Sequence, residues 1–155
     1  MAKIGEGAPA PDFDLPTDSG GRVRLSALKG QIVVVYFYPA DSTETCTLEA
    51  IDFSGRLAAF TKAGAVVVGI SPDPPKSHDR FKAKHRLGLT LASDEEKKVI
   101  NAWGLWGEKT TFGRKYMGVE RATFLIDRTG RIARMWRKVR LKGHVDEVLE
   151  AAKQL

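Results

Sequence analysis

One residue of the chain, Cys46, combines a nucleophilic atom with a predicted position at the start of a helix, where a thiolate is stabilised. It is the only cysteine, so it is either a small buried apolar side chain or a reactive thiol, and no internal disulfide can form. The apolar run 31–38 predicts a strand, and the segment after it predicts a helix with Cys46 in its first turn. The free N–H groups and the positive end of a helix dipole stabilise a thiolate, which is the nucleophilic form of cysteine.

Three polar residues are candidates for acting with this sulfur. Thr43 stands three residues before Cys46, so its hydroxyl either caps the helix or points into the same space as the sulfur, and the two interpretations are compatible. Glu49 stands three residues after Cys46 on the same side of the helix, where a carboxylate makes sense if a cation lies between it and the sulfur. Arg121 is the candidate cation; the alternative is a surface charge at the start of a strand.

The segments that must position these residues are strands alternating with helices. The runs 31–38, 65–71 and 122–127 are continuous and apolar, which is typical of strands buried on both faces of a sheet. Residues 131–137 alternate between apolar and basic side chains, which predicts an edge strand that forms a hairpin with the preceding strand. The pattern indicates an α/β architecture with an antiparallel hairpin late in the chain.

Helical spacing of apolar residues occurs between these strands. We predict helices over 45–62, 77–87 and 145–155, and a further helix capped by residues 93–96. The first of these has four apolar side chains at helical spacing: Leu48, Phe53, Leu57 and Phe60. The Pro-rich segment before residue 31 predicts an N-terminal hairpin that leads into the sheet.

Length and composition are those of an ordinary globular protein. The chain has 155 residues, 43% apolar and 28% charged, which predicts one domain spanning residues 1–155. No apolar stretch approaches the roughly 18 residues of a membrane span. The first residues also lack an apolar signal core, so we expect a cytoplasmic protein with no membrane partner.

Charged residues and histidines give no sign of a nucleic-acid or metal partner. The net charge is +6, but the basic residues are spread along the chain, so we expect no nucleic-acid partner. The histidines, His78, His85 and His144, lack the spacing of metal ligands. We therefore expect solvated histidines and no metal site.

Several segments, in order along the chain, resemble the peroxiredoxins. The run Pro39-Ala-Asp-Ser-Thr-Glu-Thr-Cys46 looks like the peroxiredoxin motif Pro-x-x-x-Thr/Ser-x-x-Cys. Further segments are similar to one subfamily, PrxQ, also called bacterioferritin comigratory protein. Those segments are 8–15, 36–39, 46–50, 103–109 and 118–127. The resemblance covers nearly the whole chain.

This resemblance implies a fold, an activity and a set of roles. The fold is the thioredoxin fold, a central mixed sheet flanked by helices, here with an N-terminal hairpin extension. The activity is reduction of hydrogen peroxide and organic hydroperoxides, with no metal or organic cofactor. By the family pattern Cys46 is the nucleophile, Thr43 orients the peroxide, and Arg121 steadies the thiolate and the charge that develops on oxygen. Pro39 shields the pocket from water, and Glu49 helps to hold the arginine.

The chain departs from the subfamily at three places. Many members carry a second, resolving cysteine where this chain has Ile51, and others carry it where this chain has Lys82. With one cysteine, the oxidised sulfur must be reduced by an external thiol: a small thiol, a thioredoxin or glutaredoxin, or a second copy of the chain. The family's Pro-Gly before the cysteine is replaced by Glu44-Thr45, which bears on rate more than on reaction type.

Other functions remain open at this point. A thioredoxin-like disulfide reductase shares the expected fold but needs Cys-x-x-Cys, and Thr43 stands at the first of those positions. A peroxide sensor or holdase would be oxidised once at Cys46 and then act through a partner. Turnover distinguishes a sensor from an enzyme. The resemblance also implies a monomer or a weak homodimer.

Overall fold

The computed structural model describes residues 4–155 and has a five-stranded mixed sheet at its centre. The order of strands in that sheet is β5-β4-β3-β8-β9. The strands are β1 Asp14–Pro16, β2 Arg22–Arg24, β3 Ile32–Phe37, β4 Ala65–Ser71, β5 Thr90–Ser93, β6 Trp106–Thr111, β7 Arg114–Val119, β8 Ala122–Ile126 and β9 Ile132–Trp136. The helices are α1 Glu44–Gly55, α2 Leu57–Lys62, α3 Pro75–His85, α4 Lys98–Ala102 and α5 His144–Lys153.

The position of β3 at the centre of the sheet, buried on both faces, explains why its sequence is apolar without alternation. It lies parallel to β4 and antiparallel to β8, and all of its residues are buried. Because successive side chains point to opposite faces, Val34 and Tyr36 pack beneath α1, α2, α3 and α5. Val35 and Phe37 pack on the other face, with α4 and the N-terminal segment. Helices and loops thus cover both faces, as the three apolar runs predict.

Both hairpins predicted from the sequence, the late one and the N-terminal one, are present in the structure. Strand β9 lies at one edge of the sheet beside β8, and its outward side chains are partly or fully exposed, so the prediction of an edge strand over 131–137 is confirmed. Its first residue, Ile132, also exchanges backbone hydrogen bonds with Gly7 and Ala8. The N-terminal hairpin is also confirmed, as the antiparallel pair β1 and β2. Strands β6 and β7 form a separate hairpin that the apolar pattern did not predict, because most of its residues are exposed.

The helix predicted over 45–62 is two helices. Arg56 leaves the helical conformation, with φ −110° and ψ 10°, and separates α1 from α2. Leu48, expected at an apolar position of this helix, is half exposed, whereas Phe53 and Phe60 are fully buried. The helix predicted after residues 93–96 begins later, at Lys98, although the Asp94 carboxylate does accept a hydrogen bond from the Ile100 N–H at 2.7 Å. Among residues 4–155, no helix is long and apolar enough to cross a membrane.

Replacing Phe124 by alanine is expected to lower the free energy of unfolding by about 3–5 kcal/mol. The side chain is fully buried in β8, and its ring lies 4.8 Å from that of Trp103 and 5.9 Å from that of Phe37. Urea denaturation followed by circular dichroism measures the change. The matched control is Phe112→Ala, because Phe112 is fully exposed at the tip of the β6–β7 hairpin and should change stability by no more than about 0.5 kcal/mol. Equal effects of the two substitutions would contradict this account of the core.

Candidate active site

Cys46 lies in the first turn of α1, just beyond the end of the central strand. The chain leaves β3 at Phe37 and begins α1 at Glu44, with Thr43 in the extended conformation of an N-cap residue. The first helical hydrogen bond runs from the Thr47 N–H to the Thr43 carbonyl, so the N–H groups of residues 44–46 have no partner within the helix. The Cys46 side chain is only 1% exposed. The sulfur therefore sits in a water-poor site at the positive end of a helix, as the sequence predicts.

Arg121 is the cation beside this sulfur. It stands immediately before β8, which pairs with β3, and this pairing brings its side chain to the start of α1. One guanidinium nitrogen, Nη2, donates to Cys46 Sγ at 3.2 Å, and the other, Nη1, donates to Glu49 Oε1 at 2.5 Å. The arginine side chain is 14% exposed. The alternative interpretation, a surface charge at a strand start, is therefore wrong.

Glu49 completes an interaction chain from carboxylate to cation to sulfur. Its side chain is fully buried, and its second oxygen, Oε2, has no hydrogen-bond partner. Burial raises the pKa of Glu49 to about 7, against the attraction of the Arg121 guanidinium. Burial alone would lower the pKa of Arg121, but the charges of Glu49 and Cys46 outweigh it and raise that pKa above its ordinary value. Arg121 therefore stays cationic beside the sulfur.

Thr43 and Pro39 border the same turn without contacting the sulfur through a hydrogen bond. The Thr43 hydroxyl donates to the Ala40 carbonyl at 3.2 Å and makes no capping bond to the helix, although its backbone occupies the N-cap position. The hydroxyl is exposed, so it is free to turn toward a bound molecule. Pro39 is partly buried at the start of the loop. Glu44, which replaces the family's proline, is exposed in the first turn, where an acid favours the helix dipole.

The two positions at which the family resemblance implies a second cysteine are filled by other residue types here. Ile51 is 42% exposed on the outer face of α1. Lys82 lies in α3, and its ammonium donates to Asp18 Oδ2 at 2.7 Å, which ties α3 to the segment after β1. Neither side chain has a thiol, so neither can form a disulfide with Cys46.

Two of the histidines contradict the expectation of solvated side chains. His78 is fully buried, and His144 is 5% exposed, with its ring hydrogen-bonded to Thr123. His78 lies against Asp41, a loop residue that the sequence had placed only at a variable position of the motif. The one signal in the sequence is the aspartate in the short loop between Pro39 and Thr43, a residue type whose carboxylate commonly accepts hydrogen bonds in turns. Within the described part of the chain no group of three or more His, Cys, Asp or Glu side chains could hold a metal ion.

The buried Glu49 predicts a pH dependence of stability. In the folded protein this carboxyl keeps its proton up to about pH 7, whereas its ordinary pKa is 4.5. Between these values the folded state binds more protons than the unfolded state, so raising the pH favours unfolding. We expect the wild type to lose up to about 3 kcal/mol of stability relative to Glu49→Gln over that window.

The comparison of the two proteins isolates Glu49, because every other titrating group is present in both. Chemical denaturation at intervals from pH 4.5 to pH 7 gives the difference in unfolding free energy. A difference that stays constant across the window, or one that grows in favour of the wild type, would show that burial does not raise the Glu49 pKa.

Comparisons with known proteins agree with this site and this fold. Residues 6–135 match the AhpC/TSA family. The chain is 46% identical to "Peroxiredoxin Bcp" of Bacillus subtilis over 149 residues, which covers 96% of this chain and 95% of that protein. It is 40% identical to "Peroxiredoxin Bcp" of Escherichia coli, with 99% of each chain covered.

Solved structures give the same assignment. Peroxiredoxin Q of Xanthomonas campestris superimposes with a TM-score of 0.87 at 42% identity, covering 92% of this chain and 90% of that one. The bacterioferritin comigratory protein of the same organism gives a TM-score of 0.88 at 40% identity, covering 99% and 98%. These neighbours confirm the predicted thioredoxin fold. The chain therefore belongs to the AhpC/TSA family, as a thiol-dependent peroxidase of its peroxiredoxin Bcp, or PrxQ, branch.

Proposed function

We propose that the chain reduces hydrogen peroxide and organic hydroperoxides by a one-cysteine cycle at Cys46. The observation that carries the proposal is the 3.2 Å contact from Arg121 Nη2 to Sγ of the only cysteine in the chain. This contact places a fixed cation beside a buried nucleophile at a helix N-terminus. The support from relatives is that the Xanthomonas campestris protein has alkyl peroxide reduction activity.

The first step is a displacement at oxygen. The thiolate of Cys46 donates an electron pair to one peroxide oxygen, an S–O bond forms, and the O–O bond breaks. The other oxygen leaves as hydroxide or alkoxide and takes up a proton to give water or an alcohol. Cys46 becomes a sulfenic acid, so the sulfur is oxidised by two electrons and the peroxide is reduced by two.

The surrounding residues have matching roles in this step. Negative charge moves from sulfur across both oxygens, and Arg121 donates to it while Glu49 holds the guanidinium in place. Thr43, whose hydroxyl now bonds the Ala40 carbonyl, would turn to donate to the peroxide. Donors preorganised in a water-poor site are typically worth about 3–4 kcal/mol each in the transition state. Pro39, partly buried at the loop start, would limit the access of water.

The second half of the cycle needs two external thiols. The first attacks the sulfenic acid, releases water and forms a mixed disulfide with Cys46. The second attacks that disulfide and releases the Cys46 thiol with an external disulfide as the product. Because Cys46 is the only cysteine in the sequence, with Ile51 and Lys82 at the positions where the family resemblance implies a second one, no second thiol of the same chain can replace the first external thiol. Since Sγ is buried in the reduced form, the first turn of α1 must open locally to admit this thiol.

Steady-state consumption of hydrogen peroxide tests the proposal and names the recycling thiol. Three reductants are compared: dithiothreitol, glutathione with glutaredoxin, and thioredoxin with its reductase. We expect many turnovers per Cys46 with at least one of them. A stop near one equivalent, with Cys46 still oxidised, would contradict the cycle and favour the second candidate, a peroxide sensor, which the absence of a resolving cysteine also suits.

A further inference from the structure

Asp41 anchors the loop that connects β3 to the catalytic helix. Its buried carboxylate accepts three hydrogen bonds: from the Tyr38 hydroxyl at 2.7 Å, from the Ser77 hydroxyl at 2.7 Å, and from His78 Nδ1 at 2.8 Å. Its own N–H donates to Asp73 Oδ2 at 2.7 Å. Burial opposes ionisation, but the bonds from His78, Tyr38 and Ser77 outweigh it and lower the pKa of Asp41, so the carboxylate is charged.

His78 is the buried partner of this carboxylate, and both of its ring nitrogens face acceptors. Nδ1 faces Asp41, and Nε2 lies 3.1 Å from the Ala92 carbonyl at the other side of the ring. These two contacts join the loop, α3 and β5 through one fully buried side chain.

The loop needs such an anchor because the next residue is strained. Ser42 has φ +66°, the left-handed conformation, which costs a non-glycine residue about 1–2 kcal/mol. Such a residue persists only when its surroundings fix it. Asp41 immediately precedes Ser42, and Thr43 immediately follows it and begins the approach to Cys46. A loop released from Asp41 would relax at Ser42 and displace Thr43.

We propose that His78 is a positioning residue for the peroxidase reaction, acting through its contact with Asp41 to fix the loop that presents Thr43 to the peroxide. The inference rests on the proposed function, in which Thr43 orients the substrate. His78 and Asp41 do not touch the sulfur; their effect reaches the reaction through the backbone of residues 41–43. A misplacement of about 1 Å in such a group is worth about 100-fold in rate.

Two substitutions of His78 separate its two hydrogen bonds. Asparagine carries a donor where Nδ1 stands and keeps the bond to Asp41, whereas glutamine carries a donor where Nε2 stands and keeps the bond to Ala92. Both are neutral amides, so each is the matched control of the other. We expect His78→Asn to stay close to the wild type in its reaction with hydrogen peroxide, and His78→Gln to react about 100-fold more slowly.

Alkylation of Cys46 by iodoacetamide provides the second readout. It consumes the thiolate but needs no peroxide oriented by Thr43, and Arg121 still contacts the sulfur in both variants. We therefore expect both variants to alkylate at the wild-type rate, with native circular dichroism. A merely structural role would slow both reactions in parallel. Asp41→Asn, which removes the carboxylate at constant size, is the second variant, and we expect it to reproduce the slow peroxide reaction and normal alkylation.

The experiment distinguishes a failure of the positioning role of His78 from a failure of the proposed peroxidase cycle. If the wild type itself does not react with peroxide, the peroxidase cycle is wrong. If the wild type reacts and His78→Gln matches either the wild type or His78→Asn, the positioning role of His78 is overturned. A parallel loss of alkylation and peroxide reactivity in the folded Asp41→Asn variant would overturn it as well.

Discussion

Cys46→Ser is expected to abolish peroxide reduction and to bring peroxide consumption down to the rate measured without protein. A serine hydroxyl stays protonated at neutral pH, so the site would contain no ionised nucleophile, and oxygen attacks peroxides far less readily than sulfur. The fold should survive, because the side chain is a small member of a large core and the serine oxygen can accept from Arg121. The measurement is peroxide consumption in the presence of whichever thiol supports the wild type.

A matched control for this substitution lies on the same helix. Ile51→Ser places the same new residue five positions further along α1, on its exposed side, and should retain wild-type turnover. Mass spectrometry after one equivalent of peroxide should show one added oxygen atom in the wild type and in Ile51→Ser, and none in Cys46→Ser. Peroxidase turnover by the folded Cys46→Ser protein would place the nucleophile elsewhere.

Arg121→Gln is expected to slow the reaction of Cys46 with peroxide by about 10²–10³-fold. Glutamine keeps one amide donor but removes the positive charge and the second donor that joins the sulfur to Glu49. Arg121→Lys should fall in between, since one ammonium retains the charge but cannot reproduce the two divergent contacts of the guanidinium. Stopped-flow measurement of the reduced protein with hydrogen peroxide gives these rates without the recycling steps.

Removing Arg121 also leaves the buried Glu49 without a partner, which costs stability on its own. The double variant Arg121→Gln with Glu49→Gln removes that unpaired carboxyl and should recover stability while staying slow with peroxide. Arg137→Gln is the control for loss of an arginine, because Arg137 forms a two-bond pair with Glu120 and is hydrogen-bonded to neither Cys46 nor Glu49. A double variant that recovered the peroxide rate would mean that Arg121 acts through stability alone.

The sequence was sufficient to predict four of the five strands of the central sheet and the candidate residues around Cys46, but it did not predict β5 or the hydrogen bonds that anchor the loop at Asp41. The continuous apolar run of β3 and the position of Cys46 after it follow local patterns, and both are confirmed. The roles proposed for Thr43, Pro39 and Glu49 stay predictions, although the structure brings Glu49, Arg121 and Cys46 together. His78 was expected to be solvated because no local pattern shows that a residue 37 positions after Asp41 is its partner.

Other differences between the sequence predictions and the structure also have identifiable physical causes. Helical spacing of apolar residues continues through residue 56, but α1 ends at Gly55, a poor helix former, and Arg56 then leaves the helical conformation before α2 begins. Leu48 is exposed because α1 buries the side that carries Cys46, Ala50 and Phe53. The β6–β7 hairpin lies outside the central sheet, so its strands carry no apolar face for a pattern to show.

The ion pair between Lys82 and Asp18 bears on how a partner molecule could recognise oxidation of Cys46. In a chain with a cysteine at position 82, a disulfide to Cys46 would link α3 to α1, so oxidation would change the covalent structure of both helices. Here Lys82 cannot form that link, and its ammonium ties α3 to Asp18 instead. Oxidation of this chain is therefore a covalent change at Cys46 without a link to another helix, and a partner that reduces it must contact the first turn of α1.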